Sequence, residues 1–229
     1  AESTDAYHRS SVTRTEQQKY LEELLMAKGL APARLADIAC GGGSLSYHLR
    51  VIYPEARFTL CDKDAVALDL AKRLNGPTCD YITDDIHALS QLQDETFDLV
   101  CCWQTLSWIS QPALAVQQLL RITKPGGLIM ASSLFNLEHD VDITAQLRDR
   151  TRPSGAEGHA YDYKTFSRAT VEEWVDGRAS SYRLHPFMIG IDLPRTGRGI
   201  GTYTVNTDRG RLQVSGGLLM NWAILELIK

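Results

Sequence analysis

The sequence lacks a long hydrophobic run. Its apolar stretches are much shorter than the roughly 18 residues that a membrane-spanning helix requires. Residues 1–20 contain no apolar segment of the kind found in signal peptides. These absences predict a soluble, cytoplasmic protein that has no membrane partner.

The sequence also lacks a dense basic segment. Lys and Arg total 24 against 28 Asp and Glu, which gives a formal net charge of −4. Nucleic-acid binding depends on Lys and Arg side chains that neutralise phosphates. We therefore predict a small-molecule partner and no nucleic acid, and both a monomer and a homodimer stay open.

Cysteine is scarce and unpatterned. The five cysteines form no CxxC pair, and most of them fall in or at the end of apolar, strand-like runs. We interpret them as buried thiols. No set of His, Cys, Asp and Glu has the spacing of metal ligands, so no metal site is predicted.

The chain does contain a regular alternation of apolar strands and amphipathic helices. This pattern predicts parallel βαβ units in one α/β domain over residues 1–229. We expect a Rossmann-like, doubly wound sheet of seven strands, mostly parallel, with an antiparallel C-terminal strand. The predicted strands in the first part of the chain are 35–40, 58–61, 80–83, 97–102 and 128–133.

Outside this alternation the pattern changes. Residues 1–30 contain a predicted helix, and the polar segment 135–170 is predicted as an insertion over the strand ends, so we expect both to form a lid. Further strands are predicted at 182–191, 203–206, 212–215 and 222–228. We expect them to extend the sheet in antiparallel fashion.

A glycine turn joins the first strand to the next helix. Asp37 is followed by Ala39, Cys40 and then Gly41 to Gly43, where bare backbone allows a ligand to approach. A dinucleotide-binding fingerprint needs a third glycine where this chain has Ser46. The turn alone leaves two readings open, a dinucleotide site and another nucleoside site.

The order of acidic residues resembles that of the class I S-adenosylmethionine-dependent methyltransferases. Asp37 ends the first strand before the glycines, Asp62 ends the second, and Asp85 follows the third. The turn at 124–127 also matches, so the resemblance covers about residues 35–133. It implies S-adenosylmethionine as cofactor.

The resemblance assigns roles to individual positions. Asp62 would bind the ribose hydroxyls and Asp85, in preference to Asp84, the adenine amine. The cofactor-binding set implied by the resemblance is Asp37, Ala39, Gly41, Gly43, Asp62, Lys63, Asp85, Ile86 and Trp103. Two departures stand out: Ala39 occupies a usual glycine position, and Trp103 would narrow the methionine end of the site.

Three further predictions concern groups around the cofactor. The cofactor carboxylate needs a cation, for which Arg14 is the candidate. His139 and His159 are the candidate general bases, with solvated loop histidines as the alternative. A pocket for the acceptor is predicted from aromatic residues, with core packing as the alternative: Trp108, Phe135, Tyr161 and Tyr163.

The predicted function is methyl transfer to an oxygen, nitrogen or carbon of a small molecule, with S-adenosylhomocysteine as product. An NAD(P)-dependent oxidoreductase shares the turn and the carboxylate at Asp62, although Ser46 argues against it. A catalytically silent S-adenosylmethionine-binding protein is the third possibility, because the sequence identifies no certain base.

Overall fold

The computed structural model describes residues 12–148, 160–195, 197 and 201–229. The helices in these ranges are α1 (Glu16–Ala27), α2 (Ser44–Ile52), α3 (Ala65–Asn75), α4 (Pro112–Ile122) and α5 (Arg168–Val175). The strands are β1 (Arg34–Ile38), β2 (Arg57–Asp62), β3 (Asp80–Thr83), β4 (Phe97–Cys102), β5 (Thr123–Asn136), β6 (Ile143–Arg148), β7 (Ala160–Ser167), β8 (Ser181–Pro186), β9 (Thr202–Thr207), β10 (Gly210–Ser215), β11 (Leu218–Leu219) and β12 (Trp222–Ile228).

The main sheet has nine strands in the described ranges. Seven of them lie in the order β3-β2-β1-β4-β5-β12-β8, and β6 and β7 join through β5. β1 to β5 pair in parallel, whereas β12 runs antiparallel to both of its neighbours. The predicted fold class, a mostly parallel doubly wound sheet with an antiparallel C-terminal strand, is confirmed. The strand order reverses between β1 and β4, the place where open α/β sheets form a ligand crevice.

The sheet is covered on both faces. Side chains alternate along a strand, so Leu35 and Ala36 of β1 belong to two separate cores. The core that contains Leu35 is closed by α1, α2 and α3. The core that contains Ala36 is closed by α4 and α5. Helices on both faces explain why the parallel strands are continuously apolar.

Helix α1 begins at a capping box. The Thr15 side chain accepts a hydrogen bond from the Gln18 backbone, and the Gln18 side chain accepts one from the Thr15 backbone. Two backbone donors that a helix start leaves unpaired are thereby satisfied. Leu21 and Leu25 of this helix are fully buried against the sheet.

None of the helices in the described ranges is long and apolar enough to cross a membrane.

The C-terminal part differs from the expected simple extension of the sheet. β9, β10 and β11 form a separate three-stranded antiparallel sheet. In the segment 135–170, β6 and β7 pair in antiparallel fashion, and β7 also pairs with the end of β5. Helix α5, which was not predicted, begins at a cap where the Ser167 hydroxyl accepts from the Thr170 backbone.

Candidate functional site

A cavity of about 240 Å³ lies at the carboxyl ends of β1 to β4, at the point where the strand order reverses. Segments that follow four neighbouring strands form its walls, which is the usual construction of an α/β ligand site. The lining residues are Ala39 after β1, Asp62 and Lys63 at β2, Asp84 and Ile86 after β3, and Gln104, Thr105, Trp108 and Ile109 after β4.

The glycines of the turn after β1 have different roles. Gly41 has φ +52° and open space where a Cβ would stand. Gly43 has φ +76°, and a Cβ there would come within 2.5 Å of Asn75 Nδ2 and 2.9 Å of Ala71 Cβ. Gly41 therefore leaves room for a ligand, whereas Gly43 lets the turn pack on α3.

Asp62 connects β2 to this turn. Its Oδ2 accepts a hydrogen bond of 2.7 Å from the Gly41 N–H, and its Oδ1 accepts one of 2.9 Å from the Asp64 N–H. A carboxylate has about four acceptor positions, so two remain for a ligand. The two N–H groups fix the carboxylate at the cavity wall, where it can receive paired hydroxyls.

Asp37 lies beneath the turn and is fully buried. Its Oδ2 accepts a 2.7 Å hydrogen bond from the Ser46 hydroxyl, and its Oδ1 has no partner in the described part of the chain. Desolvation raises the pKa of Asp37 to about 7, Ser46 opposes this rise, and Asp62 adds to it. Asp37 and Asp62 thus interact electrostatically. Ser46, the hydrogen-bond donor to Asp37, occupies the position where a dinucleotide site needs glycine.

The acidic pair after β3 divides its contacts. Asp84 lines the cavity, while its carboxylate also accepts from the backbone of Asp85 and Gln91. The Asp85 carboxylate contacts the His87 ring at 2.6 Å and accepts from the His87 backbone, in both cases through Oδ1. These contacts, the backbone one first, lower the pKa of Asp85. The structure thus brings Asp84 and Ile86, and not the preferred Asp85, to the cavity wall.

The segment after β4 forms the opposite wall. Gln104 has a positive φ of +52°, and Ala39, across the cavity, has a positive φ of +56°. A left-handed backbone costs a residue with a Cβ about 1–2 kcal/mol, and such strain is frequent at ligand sites. The preceding Trp103 is half-buried against the core, and its carbonyl accepts from the Thr105 hydroxyl at 3.0 Å.

Helix α1 reaches this wall through polar side chains. Gln17 Oε1 accepts hydrogen bonds from Gln104 Nε2 at 2.8 Å and from Ser132 Oγ at 3.0 Å. Gln18 Nε2 donates to Ser44 Oγ at 3.3 Å, beside the glycine turn. Arg14, predicted to meet the cofactor carboxylate, instead pairs with Glu22 at 3.0 Å.

Of the four aromatic residues predicted to form the acceptor pocket, Trp108 lines the cavity and Tyr163 packs behind it. Trp108 is 41% exposed and lines the cavity. Tyr163 is buried and packs edge-on against Trp108 at a ring distance of 5.5 Å. Phe135 lies in the core, where it packs against Phe166, because β5 continues further than expected. Of Tyr161 only the backbone, paired with Leu147 in β6, is described.

His139 is the one predicted general base within the described ranges, and it does not line this cavity. His139 is exposed and lines a second hollow of about 180 Å³ between the end of β5 and the start of α5. His159 lies outside the described residues. The cysteines are free thiols, and burial raises the pKa of Cys40, next to the turn, far above its usual range. Such a thiol is a poor nucleophile.

Sequence reasoning missed Gln17 and Gln104. A signal for Gln17 was present, since it stands one helical turn before the buried Leu21 and extends the apolar stripe of α1 with a polar residue. No local pattern marks Gln104, because its contact with Gln17 joins residues that are 87 positions apart.

Comparison with known proteins agrees with this geometry. Residues 35–127 match the sequence profile of a family described as a methyltransferase domain. They contain the glycine turn, the acidic strand ends and the whole cavity wall. This segment is a class I methyltransferase domain.

Curated methyltransferases are similar to this chain over more residues than the 35–127 that match the family profile. The ubiquinone biosynthesis O-methyltransferase of Burkholderia ambifaria (strain MC40-6) is 32% identical over 143 residues, which are 61% of this chain and 60% of that protein. The malonyl-[acyl-carrier protein] O-methyltransferase of Enterobacter lignolyticus is 28% identical over 200 residues, which are 85% of this chain and 75% of that protein. The chain thus spans about 60% of the length of the Burkholderia relative.

A solved structure shares the fold of the methyltransferase domain and its surroundings. It is the 1,6-didemethyltoxoflavin-N1-methyltransferase of Burkholderia thailandensis, with 1,6-didemethyltoxoflavin and S-adenosylhomocysteine bound. The TM-score is 0.55 at 14% identity, and the match covers 93% of this chain and 78% of that chain. At this identity the likeness concerns the fold.

Proposed function

We propose that the chain is an enzyme that transfers the methyl group of S-adenosylmethionine to an oxygen, nitrogen or carbon of a small molecule and releases S-adenosylhomocysteine. The observation that carries this proposal is Asp62, which is fixed by the Gly41 N–H at the wall of an open cavity. Both curated relatives are named O-methyltransferases, which favours oxygen as the acceptor atom.

The adenosine half fits the outer part of the cavity. Asp62 would accept both ribose hydroxyls, since each carboxylate oxygen keeps a free acceptor position. The adenine ring would lie between Lys63 and Ile86, which both line the cavity. Its amine would be met by Asp84 or by Oδ2 of Asp85, because the contacts of Asp85 with His87 use Oδ1.

The amino-acid half fits the inner part, beside the glycine turn. The unpartnered, buried Oδ1 of Asp37 is an acceptor that an ammonium group would satisfy. The backbone carbonyls of Ala39 and Trp103 would share this ammonium. Gly41, where added side-chain atoms would meet only open space, allows the chain of the cofactor to pass.

The chemistry asks little of the protein beyond alignment. A sulfonium carries an electrophilic methyl and a good leaving group, so the protein has to hold the acceptor lone pair in line with the methyl and exclude water. Positioning of this kind supplies on the order of 7–11 kcal/mol. Trp108, exposed in the wall, offers an apolar face to the acceptor. Segments 1–30 and 135–170 would form the lid, and His139 or His159 would serve an acceptor that must lose a proton.

Calorimetry with S-adenosylhomocysteine tests the proposal. Asp62→Asn keeps the side-chain size but removes the charge that ribose hydroxyls prefer, so the affinity should fall about tenfold to a hundredfold. The matched control is Asp98→Asn. Asp98 also accepts hydrogen bonds from backbone N–H groups, but it lies at the amino ends of the strands, away from the cavity. Absent binding to the wild type, or equal binding to Asp62→Asn, contradicts the proposal.

Turnover separates an enzyme from a silent binding protein. The purified chain is incubated with S-adenosylmethionine and a panel of phenols, amines, carboxylic acids and activated carbons, and S-adenosylhomocysteine is measured. Acceptor-dependent release is expected. Tight cofactor binding without release on any acceptor would favour the silent binding protein.

We also propose a cytoplasmic location, a single domain, and a monomer or homodimer without a nucleic-acid or membrane partner. The net charge of −4 supports the absence of a nucleic-acid partner. Light scattering of the purified chain gives its mass in solution and decides between monomer and homodimer. A mobility shift with duplex or single-stranded oligonucleotides at moderate salt would contradict the absence of a nucleic-acid partner.

A further inference from the structure

A buried polar contact joins α1 to the wall of the cavity. Gln17 is 4% exposed, and its Oε1 accepts hydrogen bonds from Gln104 Nε2 and Ser132 Oγ. Ser132 is fully buried in β5, and Gln104 lies in the segment after β4. One amide oxygen therefore connects a helix, a strand of the central sheet and a wall of the proposed cofactor site.

The partner of Gln17 stands at a strained position. Gln104 has φ +52°, a region that residues with a Cβ seldom adopt. A strained backbone persists only where its surroundings hold it in place. The Gln104 amide is held by its hydrogen bond to Gln17. In the same turn the Thr105 hydroxyl donates to the Trp103 carbonyl, which is proposed to receive the ammonium of the cofactor.

Packing alone does not account for an amide at position 17. Gln17 Nε2 is buried and has no hydrogen-bond partner among the residues that the structure describes. A buried donor without a partner is unfavourable, and a leucine would occupy a similar volume without that disadvantage. The oxygen of Gln17, which orders Gln104, is what an apolar residue would not provide.

Attachment of α1 to the sheet does not depend on Gln17 alone. At the other end of the helix Lys28 pairs with Glu226 of β12 at 2.6 Å, and Leu21 and Leu25 are fully buried. Loss of the Gln17 amide should therefore leave the helix docked. Its effect would fall on the turn at residues 103–105 and on the buried Ser132 hydroxyl, which would lose its acceptor.

We propose that Gln17 is a positioning residue for the cofactor. Through Gln104 it holds the turn at residues 103–105 in the conformation that receives the amino-acid half of S-adenosylmethionine. This inference rests on the function proposed above. When a binding-competent conformation is occupied only part of the time, the apparent affinity falls by the same fraction.

The test compares two ligands by calorimetry. S-adenosylhomocysteine contains the amino-acid half, and 5′-methylthioadenosine lacks it. Gln17→Leu should weaken S-adenosylhomocysteine about tenfold and leave 5′-methylthioadenosine within about twofold, because only the first ligand needs the ordered turn. Gln17→Leu combined with Gln104→Ala should be no weaker than the weaker single variant, because both remove the same contact.

Lys28→Met is the matched control, since it removes an anchor of α1 far from the turn. It should leave the ratio of the two affinities unchanged. An equal loss of both ligands in Gln17→Leu, a changed ratio in Lys28→Met, additive effects of Gln17→Leu and Gln104→Ala, or no loss at all would each overturn the inference. Failure of the wild type to bind S-adenosylhomocysteine would overturn the proposed function and, with it, this inference.

Discussion

Burial makes Asp37 unlike an ordinary aspartate. Desolvation raises its pKa from 3.8 to about 7, against the opposing effect of the Ser46 hydrogen bonds. An acid with a raised pKa in the folded state binds its proton more tightly when folded. The stability that this group contributes is therefore present below pH 4 and is lost as the pH rises to about 7. The ammonium of a bound cofactor would favour the ionised form.

Asp37→Asn should remove this dependence on pH. The amide is neutral throughout and can still accept from Ser46 through its oxygen. Between pH 5 and 8 the wild type should lose on the order of 2 kcal/mol more of its free energy of unfolding than the variant. Urea unfolding without ligand, at several pH values in that range, gives this comparison. Parallel pH profiles of the two proteins would show that Asp37 does not titrate there.

The success of the site predictions depended on whether a residue carried a local sequence signal. Asp62 is predicted as a site residue from a local signal, a strand end next to a glycine turn, and the structure places it in the cavity wall. Arg14 was assigned from charge alone, and its pairing with Glu22 depends on how α1 winds. For Asp85, predicted to meet the adenine amine, the ring of His87 is a competing contact. A pattern of residue types does not contain that side-chain competition.

In the strand–turn–helix unit at residues 34–52, alanine substitutions at Gly41 and Gly43 should have different effects. Gly43→Ala forces a Cβ against Asn75 and Ala71 at a left-handed φ, so it should lower the free energy of unfolding by about 2–4 kcal/mol. Gly41→Ala meets no atom within 4 Å, so only the backbone cost of about 1–2 kcal/mol applies.

Gly43→Ala should lose more stability than Gly41→Ala, whereas Gly41→Ala should lose more affinity for the ligand. Gly41→Ala places a methyl group in the space proposed for the cofactor and should weaken S-adenosylhomocysteine by at least about tenfold, while Gly43→Ala should bind nearly normally at temperatures where it is folded. Thermal unfolding and calorimetry on both proteins measure this. Equal stability losses, or an unaffected affinity in Gly41→Ala, would contradict the assigned roles.

Among elements, prediction succeeded where periodicity was strong. β3, β4 and β12 begin and end where the sequence pattern predicts. β4 is a buried parallel strand, which is typically a short, continuous apolar run. Helix α5 was missed, although Ser167 and the spacing of Val171, Trp174 and Val175 are helix signals. The sequence pattern predicts an extension of the main sheet where β9 to β11 form a separate sheet, because alternation within a strand does not identify its neighbours.

For the whole molecule, the predictable part is residues 35–133, where the ends of β1 to β4 each supply a piece of one cavity. The remaining segments determine what the cavity accepts, and their arrangement depends on contacts between distant parts of the chain. Gln17 reaching Gln104 and Ser132 is one such contact. Tyr163 of β7, which packs behind Trp108 and donates to the Leu219 carbonyl, is another.

Ligand-dependent melting of the intact chain decides between the two cofactor classes. A ligand that binds only the folded state at a hundred times its Kd adds about 2.7 kcal/mol, which should raise the Tm of a chain of this size by about 5–11 °C. S-adenosylhomocysteine should produce this shift in the wild type and a smaller one in Asp62→Asn. NADH and NADPH should leave Tm unchanged, because Ser46, buried against Asp37, takes the place of the third glycine. Stabilisation by a nicotinamide dinucleotide and not by S-adenosylhomocysteine would make the chain an oxidoreductase.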